Sequence, residues 1–530
     1  MEIITHIDQV LPLIGEIGLF QILYICILCL ITIPATFQTL IIYFVADNPG
    51  WHCVANSTTC TLKEPVITST MTDLYKTRCS FLRSEWEYVE EDLYSVVTEF
   101  DLSCKREHLI YVSKSMFFAG MAVGAVAMGF LGDKYGRSKV MKPATIISLL
   151  IAFLSAFSPN FWVFAIGRFL LGLLAPGTVV MFFVVTSEMT GPRYRPLAGI
   201  ILWFFFTIGL VILGLVAMSV PTWKMLMVYS TAPYFVLLIF IFFLPESLRW
   251  LYVNNQVQEA TKLINKIARI NGKPKPKIYL TPPKPLHDKV SPLLLFSSAE
   301  MCLKSLNIGF AWLVNGLVYY GVSLSAKDFT GNFHRDFILS SLVEFPAAVI
   351  AVLASMYLGR KRTTQIPMIL GGLCCALVVA IDEKTEDKHL INVRLTLGLF
   401  GKFFITLAYD VIYTWTVELY PTQIRTEAMG FVQITSRLGA MLSPWVVDGL
   451  GTVKVWAPFV LMGVLSVLVG VFLHFLPETK DKKTAEFLEN DVKQEQGKFG
   501  LPSSSSKRKK RPDAQKLSLV REEDEEDIEA

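Results

Sequence analysis

Several ionisable side chains stand inside long apolar stretches of this 530-residue sequence, and the candidates for substrate binding among them are Arg437, Asp410, Lys402 and Glu344. A charged group at the centre of a membrane-spanning helix costs about 2.5–3.5 kcal/mol on insertion scales, so such a residue usually has a function. The Arg437 guanidinium is always charged and can hold a carboxylate through two parallel hydrogen bonds. Arg437 is therefore the first candidate for substrate contact, and the alternative is a structural arginine paired permanently with another buried group.

Asp410 has three competing roles, which the sequence does not rank. It can neutralise Arg437, attract the ammonium group of a cationic or zwitterionic substrate, or carry a coupling proton. Lys402 precedes it by eight residues on nearly the same helix face, where it can complete an anion site or pair with Asp410. Glu344 is a weaker candidate for substrate binding, which gains interest because Pro346 loosens its helix.

Aromatic rings near these charges can attract organic cations through their faces. Tyr319 and Tyr320 are the favoured candidates, because their hydroxyl groups add polar contacts. Trp312 and the aromatic run 203–206 could also line a cavity, but such residues more often pack against helices or lipid. The sequence contains no nucleophile–base pair, nucleotide-binding loop or metal-ligand spacing. We therefore predict neither an enzyme nor a metal site, and we expect no cofactor.

The elements that must position these residues are long apolar helices. The chain is 53% hydrophobic and 18% charged, with a mean hydropathy of +0.48. A span needs about 20 apolar residues, because lipid leaves every backbone polar group to be satisfied within the helix. The sequence predicts an all-α membrane protein, and it excludes a secreted enzyme, a nucleic-acid binder or a disordered scaffold for the chain as a whole. The twelve predicted spans are 15–45, 109–131, 140–157, 161–186, 197–217, 223–243, 305–325, 336–358, 364–381, 391–416, 428–448 and 454–476.

Basic residues are concentrated in the loops on one side of these spans, which predicts the orientation. The loop after the second span has four basic residues and one acidic, whereas residues 46–107 have eleven Asp and Glu against six Lys and Arg. Both termini are therefore predicted to be cytoplasmic. The expected parts are a cytoplasmic N-terminus 1–14, a six-helix half 15–243, a cytoplasmic linker 244–304 with short helices, a six-helix half 305–476 and a disordered cytoplasmic tail 477–530, which could bind cytoplasmic proteins.

The extracellular loop 46–107 contains an even set of cysteines, Cys53, Cys60, Cys79 and Cys104. An even set in an exterior loop predicts two disulfides, and three pairings are open. The same loop holds a glycosylation sequon at Asn56.

Three short patterns recur along the chain, which indicates an internal repeat. Thr186-Ser187-Glu188 recurs as Thr416-Val417-Glu418, Pro245-Glu246 as Pro477-Glu478, and Gly132 to Arg137 as a shortened segment that begins at Gly359. The offsets are 230, 232 and about 227 residues, and each match has the same place in the order of spans. The chain therefore reads as two six-span halves in parallel repeat, as in transporters that rock around a central site.

The segment Gly132-Asp133-Lys134-Tyr135-Gly136-Arg137 resembles the signature between spans two and three of the major facilitator superfamily. Within that superfamily, Phe100-Asp101-Leu102-Ser103-Cys104, Val343-Glu344-Phe345-Pro346, Gly401-Lys402-Phe403 and Glu418-Leu419-Tyr420-Pro421-Thr422 resemble the organic cation, carnitine and organic anion transporter family. The resemblance covers about residues 11–482. It implies the major facilitator fold, with twelve transmembrane helices in two pseudo-symmetric halves. The surroundings of Arg437 resemble the carnitine and anion branches, because cation-selective members tend to carry an acidic residue there.

A second set of residues lies at the inner ends of the spans in both halves. Charges paired across the two halves would latch the cytoplasmic side shut and separate when that side opens, provided that they form a network. The candidate gating residues are Asp133, Gly136, Arg137, Glu188, Arg193, Glu418, Arg425, Glu246 and Glu478.

The expected function is a plasma-membrane transporter of small organic ions that works by alternating access, secondary-active or facilitative, with anionic or zwitterionic substrates such as carnitine favoured by Arg437. One alternative is an organic cation facilitator driven by the membrane potential, in which Asp410 and the aromatic residues dominate. A second alternative is a non-transporting membrane receptor or scaffold. The expected partners are the small organic ion and the lipid bilayer, without nucleic acid, and the coupling ion (Na⁺ or H⁺) stays open.

Overall fold

Twelve long helices make up most of the described chain. The computed structural model describes residues 2–480, except 5–6, 55–59, 61–64, 67–72, 90–93, 192, 277, 281–291, 331, 382–386, 422–423, 452 and 455. The long helices are α1 (Leu19–Val45, with Leu40 and Ile42 on either side of a brief break), α2 (His108–Tyr135), α3 (Arg137–Ser155), α4 (Phe161–Met189), α5 (Arg195–Ser219), α6 (Trp223–Ile241), α7 (Ala299–Leu324), α8 (Phe333–Leu358), α9 (Arg360–Leu377), α10 (Lys388–Leu419), α11 (Arg425–Pro444) and α12 (Ala457–Phe472).

These helices coincide with the twelve predicted spans, and several are about one turn longer. For example, α7 begins at Ala299 rather than at residue 305, and α2 continues to Tyr135 rather than to residue 131. The extra turns are polar, so a search for apolar residues alone misses them. In the described residues, eleven helices are long and apolar enough to cross a membrane. The exception is α11, whose polar side chains include Gln433, Ser436 and Arg437.

Two helices contain π-helical segments and one is interrupted. In α4 the π-helical segment is Pro176–Val180, and α11 continues beyond Pro444 as the π-helical segment Trp445–Leu450. Helix α8 is interrupted at Val343, as its proline predicted, which leaves Phe333–Leu342 and Glu344–Leu358. The shorter helices are Ile7–Gln9, Val10–Ile14, Asp73–Lys76, Thr77–Ser80, Arg83–Glu85, Val96–Glu99, Cys104–Arg106, Leu248–Val253, Val257–Ile270, Pro292–Phe296, Lys327–Thr330, Val378–Ala380 and Leu473–Phe475.

The long helices pack as two similar groups of six. Helix α1 packs on α5 and α2 on α4, and the corresponding pairs α7 with α11 and α8 with α10 repeat these contacts in the second half. The halves meet where α2 contacts α11 and where α5 contacts α8. Exchanging the halves turns the first of these contacts into the second, so the packing has the pseudo-twofold symmetry that the repeat predicted.

Glycines allow the closest helix pairs to approach at the level of their main chains. A Cβ atom at Gly172 of α4 would clash with the main-chain oxygen of Phe117 in α2. A Cβ atom at Gly439 of α11 would clash with the main-chain oxygen of Leu313 in α7. Small residues at such contacts are typical of helix packing in membranes. A glycine therefore permits a close main-chain contact in one helix pair of each half.

Two small folded units lie at opposite ends of the helix bundle. On one side, which we call the loop side, β2 (Trp51–Cys53) pairs antiparallel with β3 (Trp86–Tyr88). On the opposite side, which we call the linker side, β1 (Glu2–Ile4) pairs in parallel with β4 (Ile278–Leu280). Asn271, at the end of the linker helix Val257–Ile270, connects the linker to the N-terminal part of the chain. It accepts a hydrogen bond from Phe20 N in α1 at 2.8 Å, and it donates one to Ile14 O at 2.8 Å. The N-terminal segment is thus ordered against the linker.

Candidate functional site

A cavity of about 1390 Å³ lies between the two halves of the molecule. It extends to Asp133, Arg137 and Arg360, which stand at the linker-side ends of their helices, so it opens towards the linker side. Its deeper wall combines residues of the first half (Gln38, Phe117, Trp203, Phe206 and Thr207) with residues of the second half (Tyr319, Tyr320, Glu344, Tyr409, Asp410, Tyr413, Gln433 and Arg437). The two halves therefore build one site together.

Arg437 lies in the wall of this cavity, in the middle of α11. Its Nη1 donates a hydrogen bond to the Tyr320 hydroxyl at 3.3 Å. In the described part of the chain, Arg437 forms no ion pair with a carboxylate. In this conformation Arg437 is thus bonded to a tyrosine hydroxyl and not to a carboxylate, and the guanidinium keeps donors that can contact a ligand. Its role in substrate contact stays a prediction.

Asp410 also lies in the cavity wall, on α10. Its Oδ2 is buried and has no hydrogen-bond partner among the described residues. It forms no ion pair with Arg437, so direct neutralisation, the first of its three predicted roles, is absent from this conformation. A buried carboxylate oxygen without a partner is costly, and a bound ammonium group or a proton would relieve that cost.

Lys402 does not occupy the place that the sequence suggested. Its ammonium group lies 3.1 Å from Glu344 Oε1, and the two side chains are only 1% and 6% exposed. Lys402 also donates to Ser323 Oγ at 2.8 Å, and it stands 3.2 Å from the centre of the Tyr319 ring. It is absent from the cavity wall and does not pair with Asp410. The spacing along α10 predicted that Lys402 and Asp410 share a face of the helix. In the folded protein, α8 places the Glu344 carboxylate closer to Lys402.

Glu344 is the acceptor at the centre of this buried cluster. It accepts hydrogen bonds from the Tyr319 hydroxyl at 2.7 Å and, across the interface between the halves, from Thr207 Oγ1 at 3.3 Å. Although it borders the cavity, its charge is already balanced by Lys402. Glu344 and Lys402 therefore support the site, and Glu344 also joins the halves through Thr207, whereas Arg437 and Asp410 carry the uncompensated charges of the site.

Aromatic rings cover much of the cavity wall. Tyr319 and Tyr320 are there as predicted, and Tyr319 stacks on Tyr409 with 5.5 Å between ring centres. Tyr409 and Tyr413 were not singled out from the sequence, although Tyr413 lies three residues after Asp410 and four after Tyr409 in α10, which is helical spacing. Of the other predicted aromatics, Trp203, Phe204 and Phe206 line the cavity, while Phe205 does not. Trp312 lies behind the wall, fully buried, and donates to Thr416 Oγ1 at 2.9 Å.

On the linker side, Arg137 connects two other predicted gating residues of the first half, and Glu246 holds the start of the next helix. Arg137 donates to the Asp133 carboxylate, and its Nη2 lies 3.6 Å from Glu188 Oε1. Glu246 accepts hydrogen bonds from the main-chain N–H of Ser138 at 2.8 Å, at the start of α3. Gly136 permits the tight turn before that helix with φ of +117°.

The second half repeats this network with other residues. Arg360 Nη2 lies 2.9 Å from Glu418 Oε1, which makes it the counterpart of Arg137 and a residue that our gating set missed. Glu478 accepts hydrogen bonds from the main-chain N–H of Arg360 at 2.9 Å and of Lys361 at 3.1 Å. Gly359, with φ of +88°, corresponds to Gly136.

Among the described residues, the predicted latch across the two halves is not formed in this conformation. The ion pairs of Arg137 and Arg360 each stay within one half. Arg193 stands beside the Tyr194 ring at 5.7 Å, and Arg425 donates to its own half at Tyr420 O at 3.5 Å. This arrangement agrees with a cavity that is open on the linker side, where a closed latch would not be expected.

The loop side, in contrast, is closed by contacts between the halves. Lys114 of α2 and Asp448, in the π-helical end of α11, form an ion pair of 2.8 Å whose side chains are each 2% exposed. Neither residue was predicted from the sequence, although the rule that selected Arg437 applies equally to a lysine and an aspartate within predicted spans. Among the described residues, the structure therefore shows an ion pair that joins the halves on the loop side, whereas the linker-side ion pairs of Arg137 and Arg360 stay within one half each.

The loop 46–107 contains both predicted disulfides. Of the three open pairings, the structure forms Cys53–Cys60 and Cys79–Cys104. Asn56 lies outside the described residues, and so does the tail after residue 480.

The chain matches known transporters over most of its length. Residues 65–490 match the family model described as sugar (and other) transporter. Solute carrier family 22 member 2 of Rattus norvegicus is 31% identical, over 75% of this chain and 71% of that protein. The chain belongs to solute carrier family 22. Organic anion transporter 3 of Sus scrofa is 30% identical over 76% of this chain and 75% of that protein. Solute carrier family 22 member 15-like of Xenopus laevis is 29% identical over 91% of this chain and 96% of that protein.

Solved structures show the same fold. The crystal structure of a D-xylose–proton symporter superposes with a TM-score of 0.60 at 16% identity, over 88% of this chain and 100% of that chain. A partially occluded inward-open conformation of the xylose transporter XylE from E. coli gives 0.59 at 14% identity. This member of solute carrier family 22 therefore has the major facilitator fold. It is a multi-pass membrane transporter of organic ions and not an enzyme.

Proposed function

We propose that this transporter carries small organic zwitterions and anions, such as carnitine-like molecules, by alternating access across the plasma membrane. The observation that supports the proposal is that Arg437 and Asp410 both face one cavity and do not pair with each other. A zwitterion brings a carboxylate for the guanidinium and an ammonium group for the aspartate. Each protein charge is then compensated only when substrate is bound.

The tyrosines support the same assignment. Tyr320, Tyr409 and Tyr413 line the cavity, and an aromatic ring can receive an alkylated ammonium group, in which alkyl groups replace N–H donors. The Tyr320 hydroxyl accepts from Arg437 and so orients the guanidinium. Recognition of the carboxylate would be directional, and recognition of the ammonium group would depend mainly on charge and ring faces.

The competing function is uptake of simple organic cations driven by the membrane potential. Asp410 with its unpartnered oxygen and the aromatic wall favour it, because both attract positive charge. The Arg437 guanidinium in the same cavity opposes it, because it repels a cation that brings no carboxylate. The two functions thus differ in the predicted effect of removing Arg437.

The test is uptake of labelled carnitine, an aryl carboxylate and tetraethylammonium by cells that express the parent, Arg437→Gln or Asp410→Asn. Loss of a hydrogen-bonded charge partner costs about 1.5–3 kcal/mol, so Arg437→Gln should lower carboxylate uptake about tenfold to hundredfold. Asp410→Asn should lower carnitine uptake and spare the aryl carboxylate. The control is Arg362→Gln, which removes the same charge at an exposed linker-side position. Undiminished carboxylate uptake by Arg437→Gln would reject the proposal in favour of the cation facilitator.

Coupling and orientation are part of the proposal. We infer that the linker side, with both termini, is cytoplasmic, because basic residues are concentrated there. Repeating the uptake measurement with sodium replaced and with the external pH varied would distinguish Na⁺ coupling, H⁺ coupling and facilitated diffusion.

A further inference from the structure

We propose that the buried pair Lys114–Asp448 is the electrostatic lock of the loop-side gate, which holds the cavity closed on that side while it is open on the linker side. The pair joins α2 of the first half to the π-helical end of α11 in the second half. The proposal requires that the cavity opens alternately to the two sides, but it does not depend on which organic ion is carried.

The surroundings of the pair are built from contacts that also cross between the halves. Ser115, the neighbour of Lys114, donates to Met441 O of α11 at 2.7 Å and accepts from Trp445 Nε1 at 3.0 Å. The Tyr111 and Trp445 rings pack edge to face with 5.6 Å between centres. On the far side of α7, Tyr43 of α1 donates to Tyr320 O at 3.4 Å. The lock is therefore one part of a continuous seam and not an isolated surface contact.

Burial makes the pair suited to switching. Each side chain is only 2% exposed, so removal of either charge leaves the other buried without its ion-pair partner, which is costly. When the halves separate on the loop side, water can solvate both charges and so compensate for the loss of their mutual attraction. A buried ion pair of this kind has two stable arrangements, one closed and paired and the other open and hydrated. Partly separated arrangements are unfavourable, because they have neither full attraction nor full hydration.

Helix α11 connects the lock to the substrate site. Arg437 and Asp448 are eleven residues apart, which is about three helical turns, so they lie on nearly the same face of the helix. Tyr320 links the two regions from α7, since its hydroxyl accepts from Arg437 and its main-chain oxygen accepts from Tyr43. A π-helical segment at Asp448 is a place where a helix can change register or rotate, and such segments are frequent at functional sites. Engagement of a ligand by Arg437 can thus be transmitted to the lock along one element.

The test measures how readily a reagent reaches the cavity from the loop side. Thr39, which lines the cavity on α1 towards the loop side, is replaced by cysteine in the full-length chain. A membrane-impermeant maleimide is then added to sealed vesicles of either orientation, so that the result does not depend on the assumed topology. Lys114→Met and Asp448→Asn should each raise the rate of loop-side labelling at least about tenfold, because the unpaired charge favours the open, hydrated state.

The charge-swapped variant, Lys114→Asp with Asp448→Lys, should label as slowly as the parent, because attraction across the seam is restored. The matched control is Lys224→Met, which breaks a loop-side ion pair with Glu99 (2.6 Å) inside the first half and should leave the rate unchanged. If the single variants do not fold, the doubly neutral variant Lys114→Met with Asp448→Asn, which leaves no unpaired charge, should label at least about threefold faster than the swapped variant. Equal labelling of parent and single variants, or of the doubly neutral and swapped variants, would overturn the proposal.

Discussion

Lys402 and Glu344 neutralise each other inside the helix bundle, whereas Arg437 and Asp410 face the cavity without a mutual ion pair. All four were candidates on the sequence, because each is an ionisable residue in an apolar stretch, with Arg437 ranked first and Glu344 the weakest. The structure distinguishes the four residues by the side chain that faces each of them. A compensated pair supports the helices around it, and an uncompensated charge is available to a ligand.

At this scale we predict that Glu344→Gln destabilises the transporter by about 3–5 kcal/mol, because it leaves the Lys402 ammonium buried without a carboxylate. The double variant Glu344→Gln with Lys402→Met should recover most of the loss, since no unpaired charge remains. Thermal unfolding of the purified proteins in detergent measures both effects. Lys224→Met is the control, as its side chain is 33% exposed. A Glu344→Gln protein as stable as this control would contradict the prediction.

At the scale of helices, the turn between α2 and α3 depends on a residue without a side chain. Gly136 has φ of +117°, and a Cβ atom there would lie 2.5 Å from Glu246 Oε2. Glu246 in turn holds the first main-chain N–H groups of α3, where a carboxylate also favours the helix dipole. The glycine, the glutamate and the helix start therefore form one unit, which Gly359 and Glu478 repeat in the second half.

We expect Gly136→Ala to cost about 1–3 kcal/mol from the backbone conformation alone, and more from displacement of Glu246. The same substitution at Gly129, in the interior of α2, meets nothing within 4 Å and should be neutral or slightly stabilising. The amount of folded protein at the cell surface and the unfolding temperature distinguish the two variants. Equal behaviour of both would show that the turn tolerates a side chain.

At the scale of the whole molecule, the two ends of the bundle are in opposite states. The loop side is joined by Lys114–Asp448, while the linker-side ion pairs of Arg137 and Arg360 stay within their own halves. In a rocking transporter the linker-side charges would meet across the halves when that side closes. The predicted linker-side latch therefore belongs to the opposite conformation and stays a prediction.

Arg137→Ala and Glu418→Gln should reach the cell surface and yet slow uptake about tenfold, because removal of one network member weakens closure of the linker side without exposing the core. The control is Lys134→Ala, which removes an exposed charge from the same loop. Uptake rates normalised to surface protein decide the question. Rates equal to the parent in both variants would rule out the latch.

The sequence by itself determined the helices, the repeat and the family. Runs of apolar residues dictate the spans because lipid permits few other structures, and the repeated motifs indicate two halves because their offsets agree. It also selected Arg437, Asp410, Tyr319 and Tyr320, all of which line the cavity.

Only the tertiary structure decided which charges are compensated, which cysteines pair and which side is open. Lys402 pairs with Glu344 and Lys114 with Asp448, 58 residues apart in one case and 334 in the other, because helices from distant parts of the chain face each other. Spacing along one helix reports which residues share a face. It does not report what lies opposite that face, and within a membrane the opposite side chain determines whether a charge supports the fold or is available to the substrate.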